Sequence, residues 1–258
     1  MPISIPGCLG EGVRLSGRTV LVTGGASGIG LGLAERFRRA GSEVVVCGRR
    51  EERLREAQQR IPGLHVLTAD LAGEDGRAAL AERVVREFPA LDVLVNNAGI
   101  QVHSSLLEAS HWERFREELA INLHAPIHLA MLLLPHLRGR EGAAIVNVTS
   151  GLAFAPLART PVYAATKAAL HSFTLSLRRQ LEGTGVEVVE LIPPAVDTDL
   201  GGPGLHTFGV KVDELLDGVL PRIESGEREV AFGFAEQSSQ ASRAELDALV
   251  ERMNQTAR

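Results

Sequence analysis

A tyrosine and a lysine four positions apart carry the clearest chemical signal in this sequence. Tyr163 is the only tyrosine of the chain, and Lys167 is one of its two lysines. Residues at positions i and i+4 share one face of a helix, which would bring the ammonium close to the phenol. A nearby cation stabilises phenolate and lowers the phenol pKa from about 10. Such a phenol could protonate a carbonyl oxygen or take the proton of an alcohol. The alternative is a helix tyrosine beside a surface lysine.

Two further polar residues are candidate partners of this pair. Ser150 ends an apolar run thirteen residues before Tyr163, and a strand end there would point into the same cleft. On its own, a serine at the end of a strand is most often a turn residue. Asn122 interrupts an apolar helical segment between Ile121 and Leu123, where a buried structural role is the alternative.

A glycine-rich turn follows the first apolar run. It covers residues 23–30, TGGASGIG, and a helical pattern follows it. In a doubly wound sheet a dinucleotide binds at this place, because glycines allow a close approach to the pyrophosphate and the helix N-terminus offers free N–H groups. A tight turn without any ligand is the alternative.

Short apolar segments alternate with longer helical segments along the chain. Strands are predicted at 19–23, 43–47, 64–67, 91–95, 143–148 and 186–192, and helices at 29–40, 51–60, 77–88, 112–137 and 161–181. This alternation predicts an α/β fold, a doubly wound parallel sheet of the Rossmann type. No linker divides the chain, so we expect a single domain over 1–258 with a short substrate loop at about 199–210. A last helix at 242–253 would pack on the body or on a neighbouring subunit.

Composition excludes several classes of protein. The chain has 258 residues, 45% of them hydrophobic and 23% charged, and a net charge of −5, which argues against a nucleic-acid partner. The most apolar stretch, 127–137, is shorter than the roughly 20 residues that span a bilayer. With no secretory signal, we expect a cytoplasmic protein without a membrane partner. Two cysteines, Cys8 and Cys47, are too few for a disulfide scaffold, and Cys47 is expected to be a buried free thiol.

Together these motifs resemble the short-chain dehydrogenase/reductase family over about residues 17–200. The resemblance implies that Tyr163 is the general acid/base and that Lys167 lowers its pKa and binds the nicotinamide ribose. It implies that Ser150 polarises the substrate oxygen and that Asn122 holds a water of the proton path. No metal site is expected.

The resemblance also implies a nicotinamide cofactor. Its expected contacts are Gly24, Ser27, Gly28, Ile29, Gly30, Arg49, Asp70, Leu71, Asn97, Ala98, Gly99, Tyr163, Lys167, Pro193, Val196 and Thr198. Gly48 stands where an NAD-selecting carboxylate would lie, and Arg49 and Arg50 follow it, so we expect NADP rather than NAD. The alternative is two solvated arginines. Asp70 could instead be a helix N-cap.

One position departs from the family pattern. Pro194 replaces the usual glycine after the sixth strand, which fixes φ near −65°. The segment 190–200, ELIPPAVDTDL, is similar to a bacterial branch named after an oxidoreductase of the D-alanine–teichoic acid operon. That likeness identifies no substrate. The expected pocket residues are His103, Leu152, Phe154 and Pro156, with His103 either a rim residue or an extra acid/base.

The expected function is an NADP(H)-dependent reductase or dehydrogenase acting on a small carbonyl or alcohol. A dinucleotide-sensing regulatory protein is the first alternative, although such a protein would be expected to lose part of the catalytic set. A sugar-nucleotide epimerase or dehydratase would need a longer C-terminal domain. By resemblance, we expect a homo-oligomer, a dimer or tetramer that pairs the helices at 112–137 and 161–181.

Overall fold

Seven short parallel strands form one sheet in the computed structural model, which describes residues 12–107 and 112–255. They are β1 (Thr19–Thr23), β2 (Glu43–Gly48), β3 (His65–Thr68), β4 (Val93–Asn96), β5 (Ala144–Val148), β6 (Glu187–Ile192) and β7 (Glu229–Ala231). The sheet order is β3-β2-β1-β4-β5-β6-β7, and every neighbouring pair is parallel.

Helices cover both faces of this sheet. They are α1 (Gly28–Arg39), α2 (Glu51–Arg60), α3 (Glu74–Glu87), α4 (Trp112–Leu119), α5 (Ala125–Leu137), α6 (Pro161–Gln180), α7 (Val212–Glu224), α8 (Phe234–Gln240) and α9 (Arg243–Gln255). Side chains of α1, α2 and α7 form one core with the sheet, and side chains of α3, α5 and α6 form the other. The result is a Rossmann-type α/β domain, which confirms the predicted fold class.

Alternate strand residues fill the two cores. In β1, Val20 and Val22 belong to the core under α1, whereas Leu21 points to the opposite core. The strands are continuous apolar runs because both of their faces are buried, as is usual in parallel sheets. The strand order reverses direction between β1 and β4, and the loops that leave the carboxyl ends of these strands open a crevice there.

The predicted elements are present with small shifts at their ends. Four strands, β3, β4, β5 and β6, begin one or two residues later than predicted, and α3 begins three residues earlier than predicted, at Glu74. The prediction missed β7, α7 and α8. The predicted helix at 112–137 is interrupted by one π-helical turn, Ala120–His124, in which the N–H of Ala125 donates to the carbonyl of Ala120.

The helical stretch Trp112–Leu137 would be long and apolar enough to cross a membrane, with a mean hydropathy of 1.3 over 18 of its residues. Within the fold it is a core helix. Leu129, Leu133 and Leu137 are fully buried against the sheet, and the stretch also buries the polar side chains of Glu118 and Asn122.

The last helix packs on the body of the domain, which is one of the two predicted arrangements. In α9, Leu249 is buried, and Asn254 ties the end of the helix to the loop before α6. The Asn254 Nδ2 donates to the carbonyl of Pro156 at 3.1 Å, and its Oδ1 accepts from the N–H of Ala158 at 2.6 Å.

Cys47 is a free and fully buried thiol in β2, as predicted. Burial raises its pKa to about 12. Cys8 lies outside the described residues.

Candidate active site

The glycine-rich turn joins β1 to α1 at the crevice. Gly24 and Gly28 have φ values of +63° and +55°, which favour glycine. A Cβ on Gly24 would lie 2.8 Å from the Cα of Ala98, and a Cβ on Gly30 would lie 2.3 Å from the Nδ2 of Asn97. The glycines therefore allow the turn to pack directly on the end of β4.

The N-terminus of α1 faces the cleft without a capping side chain. Its N-cap residue, Ser27, makes no side-chain cap hydrogen bond, and the first turn contains no acidic residue. Ser27, Gly28 and Ile29 all line the cleft. Free N–H groups at the positive end of a helix dipole bind anions. These residues therefore fit the pyrophosphate of a dinucleotide.

Asn97 braces the turn against β1. Its Nδ2 donates to the carbonyl of Thr23 at 2.9 Å, and the Thr23 Oγ1 accepts from the N–H groups of Asn97 and Ala98 at 3.0 Å each. Ala98 and Gly99 line the cleft beyond this brace.

Arginines surround the end of β2. Gly48 leaves the end of the strand free of a carboxylate, and Arg49, Arg50 and Arg53 line the cleft beside it. Arg49 pairs with Glu117 at 2.7 Å, whereas Arg50 has no acidic partner within ion-pair distance among the described residues. Sequence reasoning missed Arg53, which returns to the cleft from the first turn of α2.

Asp70 forms a local turn and does not cap a helix. Its Oδ1 accepts from the N–H of Ala72 at 3.0 Å, and the N-cap of α3 is Gly73. Asp70 and Leu71 both line the cleft.

One cleft of about 1120 Å³ runs along the carboxyl ends of the strands. The predicted cofactor residues that line it are Gly24, Ser27, Gly28, Ile29, Arg49, Asp70, Leu71, Asn97, Ala98, Gly99, Tyr163, Lys167, Pro193, Val196 and Thr198. Gly30 is the exception: it does not line the cleft, and its contact with the cofactor stays a prediction. It is buried against Asn97, where it serves packing.

Tyr163, Ser150 and Lys167 meet on one wall of this cleft. Their exposed fractions are only 5%, 7% and 4%. The Tyr163 phenol is hydrogen-bonded to the Ser150 side chain. The Lys167 Nζ lies 5.7 Å from the centre of the tyrosine ring and donates to the carbonyl of Val148 at 2.7 Å.

Burial is the largest cause of the pKa shifts of Tyr163 and Lys167. It raises the pKa of Tyr163 to about 12, against the hydrogen bond from Ser150, and the charge of Glu118 adds to the rise. Burial lowers the pKa of Lys167 to about 8, and the carboxylate of Glu190 opposes that change. The lowering of the Tyr163 pKa by Lys167 stays a prediction.

Asn122 lies in the π-helical turn, behind the cleft wall. Its Oδ1 accepts from the N–H of Ile100 at 2.9 Å, and its Nδ2 donates to the carbonyl of Ile100 at 2.8 Å. The same Nδ2 also donates to the Thr166 Oγ1 at 3.3 Å. The side chain thus holds the segment after β4 against the helix, and its role in holding a water stays a prediction.

Glu190 is a fully buried carboxylate that the sequence analysis missed. Its Oε1 accepts from the Thr149 Oγ1 at 2.7 Å, and its Oε2 lies 2.9 Å from the His171 Nδ1. The hydrogen bond to Glu190 raises the pKa of His171. The spacing of four between Lys167 and His171 was a signal that both lie on one face of α6.

Glu118 is a second buried carboxyl that was missed. It is 0% exposed, its Oε1 accepts from the N–H of Val102 at 2.9 Å, and its Oε2 has no hydrogen-bond partner. Burial raises its pKa to about 7, while the N–H of Val102 and the charge of Arg114 oppose the rise. The available signal was its position four residues before Asn122.

Two of the four predicted pocket residues line the cleft. His103 and Leu152 do so, whereas Phe154 and Pro156 do not. The ring of Phe154 packs on His171, with centroids 4.8 Å apart. The prediction for the latter two was wrong, and both follow the short 3-10 turn Gly151–Ala153. Pro194 lines the cleft where the family usually has glycine, and no non-glycine residue in the described parts of the chain has a positive φ.

The chain matches known proteins over most of its length. A family model described as short chain dehydrogenase matches residues 18–205. The uncharacterized oxidoreductase DltE of Bacillus subtilis is 46% identical over 249 residues, which are 94% of this chain and 98% of that protein.

Solved structures with bound nicotinamide cofactors have the same fold. A short chain dehydrogenase from Burkholderia cenocepacia in complex with NADP has a TM-score of 0.81 and 28% identity, and the match covers 93% of this chain and 98% of that one. A 3-ketoacyl-(acyl-carrier-protein) reductase from Brucella melitensis complexed with NADH has a TM-score of 0.76 and 27% identity, and the match covers 86% of this chain and 100% of that one.

Proposed function

Because this chain belongs to the short-chain dehydrogenase/reductase family, we propose that it is an NADP(H)-dependent oxidoreductase acting on a carbonyl or alcohol group. One observation carries the proposal. The buried phenol of Tyr163 is hydrogen-bonded to Ser150 on the wall of the dinucleotide cleft, and Lys167 lies on the same face of α6.

The residues of the chain divide the chemistry between them. When bound, the cofactor supplies or accepts the hydride. Tyr163 gives its phenolic proton to the carbonyl oxygen in reduction and takes a proton from the alcohol in oxidation. Ser150 hydrogen-bonds that oxygen and polarises it. Lys167 donates to the nicotinamide ribose and stabilises phenolate, and Asn122 holds a water on the path by which the proton is replaced.

The preference for NADP rests on charge at the end of β2. Gly48 leaves room there, and Arg49, Arg50 and Arg53 provide three guanidinium groups, which suit a ribose 2′-phosphate.

Titration of the protein with NADP and with NAD, followed by thermal shift, tests this preference. Arg50→Gln should weaken NADP binding more than NAD binding. Arg55→Gln, in the helix that directly follows Arg50 but outside the cleft, is the matched control. Tighter binding of NAD by the wild type would contradict the preference.

An activity assay separates this function from a non-catalytic dinucleotide sensor. Purified protein is given NADPH and a panel of aldehydes, ketones and diketones, and Tyr163→Phe is the control. We expect turnover that falls about 10²-fold to 10⁴-fold in Tyr163→Phe, because a general acid contributes that much. Cofactor binding with no turnover across the panel would favour the sensor.

Exposed apolar side chains support a homo-oligomer, a dimer or tetramer. Trp112, Met131 and Leu175 lie on α4, α5 and α6 with exposed fractions of 63%, 65% and 37%. Light scattering on the purified protein tests the assembly, and a monomer at micromolar concentration would contradict it.

We further propose that the protein acts in the cytoplasm on a small-molecule substrate.

A further inference from the structure

The cleft continues beyond Tyr163 into a pocket with a hydrogen-bonded wall. Here the Gln101 Oε1 accepts from the Nε2 of His103 at 3.0 Å and from the Nε2 of His206 at 3.1 Å. An amide oxygen only accepts hydrogen bonds, so both imidazoles carry a proton on Nε2. The amide oxygen of Gln101 is therefore saturated. No acceptor for its Nε2 occurs among the residues that the structure describes, which leaves these N–H groups free to bind a ligand.

The substrate loop, residues 199–210, closes directly onto this wall. A Cβ on Gly201 would lie 3.2 Å from the carbonyl oxygen of Gln101 and 3.4 Å from its Oε1. His206 comes from the same loop, and its ring centroid lies 6.5 Å from that of His103. The loop is thus held to the wall by the hydrogen bond between His206 and Gln101.

Arg159 adds a positive charge to this pocket. The N–H of Ser104 donates to its carbonyl at 3.0 Å, which ties Arg159 to the segment that carries Gln101 and His103. Its side chain lines the cleft, and no carboxylate in the described parts of the chain lies within 4.0 Å of its guanidinium. Asp199, which also lines the cleft, is therefore beyond ion-pair distance.

The two histidines do not supply a second charge. Burial is the main cause that lowers the pKa of His103 and of His206, and the charge of Arg159 lowers both further. At this wall the charge of Arg159 therefore lies beside neutral hydrogen-bonding groups, the two imidazoles and the amide of Gln101. The guanidinium is a planar donor fork that matches a carboxylate, and the free groups on Arg159 and Gln101 are all donors.

We propose that Arg159 and Gln101 form a carboxylate subsite, and that the substrate is therefore an oxo acid or the corresponding hydroxy acid. The inference rests on the proposed function. In reduction, the carbonyl carbon receives a hydride from NADPH and the carbonyl oxygen receives the proton of Tyr163. The products are the hydroxy acid and NADP⁺, and the carboxylate is unchanged.

Paired substrates test the subsite. The probes are 2-oxobutanoate, 4-oxopentanoate and 5-oxohexanoate, each compared with its methyl ester, with NADPH as reductant. The readout is the ratio of kcat/KM for the acid to kcat/KM for the ester. We expect a ratio well above one for the wild type, and a fall of about 10-fold to 100-fold in Arg159→Gln. Arg159→Lys should keep part of the preference. Arg138→Gln, which removes an exposed arginine outside the cleft, should keep all of it.

Two outcomes separate this inference from the proposed function. Turnover that depends on Tyr163 and favours the esters would overturn the subsite and leave the proposed function standing. If no carbonyl is reduced, the proposed function fails, and calorimetric titration of 4-hydroxypentanoate into the protein with NADP⁺ decides the subsite separately. Binding to the wild type that is lost in Arg159→Gln would support the subsite. Absence of binding to the wild type would overturn it.

Discussion

Replacing Glu118 by glutamine should remove a destabilisation of the native state that grows as the pH rises. This carboxyl is 0% exposed, and burial raises its pKa from 4.5 to about 7. At about 1.4 kcal/mol for each unit of pKa, the difference corresponds to roughly 3 kcal/mol. The N–H of Val102 keeps an acceptor in the variant, because the amide oxygen of glutamine can take the place of Oε1.

The direction of the effect follows from proton binding. The unfolded chain loses the Glu118 proton near pH 4.5, whereas the native state holds it up to about pH 7. The native state therefore binds more protons in this interval, and the free energy of unfolding falls as pH rises. The contribution is fully present below pH 4.5 and is lost above pH 7. Glu118→Gln has no such loss.

Urea unfolding at pH 4.5, 6 and 8 measures the effect. We expect the free energy of unfolding of Glu118→Gln, relative to the wild type, to rise by about 3 kcal/mol from pH 4.5 to pH 8. The matched control is Glu113→Gln on the same helix, whose side chain is 75% exposed. Its curve should run parallel to that of the wild type.

Parallel curves for Glu118→Gln and the wild type, within about 0.5 kcal/mol at every pH, would refute this reasoning. They would mean that the carboxyl is solvated or paired in the native state. A second readout is kinetic. Because the charge of Glu118 raises the pKa of Tyr163, the pH profile of turnover should move toward lower pH in the variant.

Three further predictions concern other buried groups. Burial raises the pKa of the Cys47 thiol to about 12. A disulfide reagent at pH 8 should therefore label Cys47 only as fast as the protein unfolds. Rapid labelling of Cys47 in the native protein would contradict its burial. Gly30→Ala places a methyl group 2.3 Å from the Asn97 Nδ2. The substitution should lower the free energy of unfolding by about 1–3 kcal/mol, measured by urea unfolding, and weaken NADPH binding, measured by fluorescence titration. Unchanged values would show that the turn can move. In Glu190→Gln, the pKa of His171 followed by NMR should fall toward 6.5. Because that pKa is raised in the native state, the stabilisation lost in this variant should be largest below pH 6.5, and an unchanged titration would contradict the pair.

The sequence predicts the central sheet well because each strand is buried on both faces. The short apolar run at 43–47 lies between two helical segments, and this pattern predicts a buried strand. The other predicted strands show the same pattern. The elements near the C-terminus are harder to predict. β7 has only three residues, and its pairing with β6 is a tertiary contact that no local pattern encodes.

The site residues could be predicted where their spacing in the sequence reflects their distance in the structure. They could not be predicted where their place in the site depends on the burial of a polar side chain. Tyr163 and Lys167 share a face of α6, so their spacing of four indicates their proximity. The spacings that involve Glu118 and the partners of Glu190 do not indicate burial, because carboxylates are usually exposed and their burial depends on the packing of distant elements. Phe154 was misplaced because a pocket contact was inferred from its position soon after Ser150, and the intervening 3-10 turn was not foreseen.

The π-helical turn at Ala120–His124 has a consequence for how the chain tolerates insertions and deletions. A π turn holds one residue more than an α turn, so it offsets the helix before it from the helix after it by about 100°. Deleting a single residue there would preserve the helix, its length and its composition almost unchanged. It would nevertheless rotate α4 relative to α5 and withdraw Glu118 from Val102. Relatives that differ by one residue in this turn should therefore carry a different set of side chains behind the residue that corresponds to Tyr163.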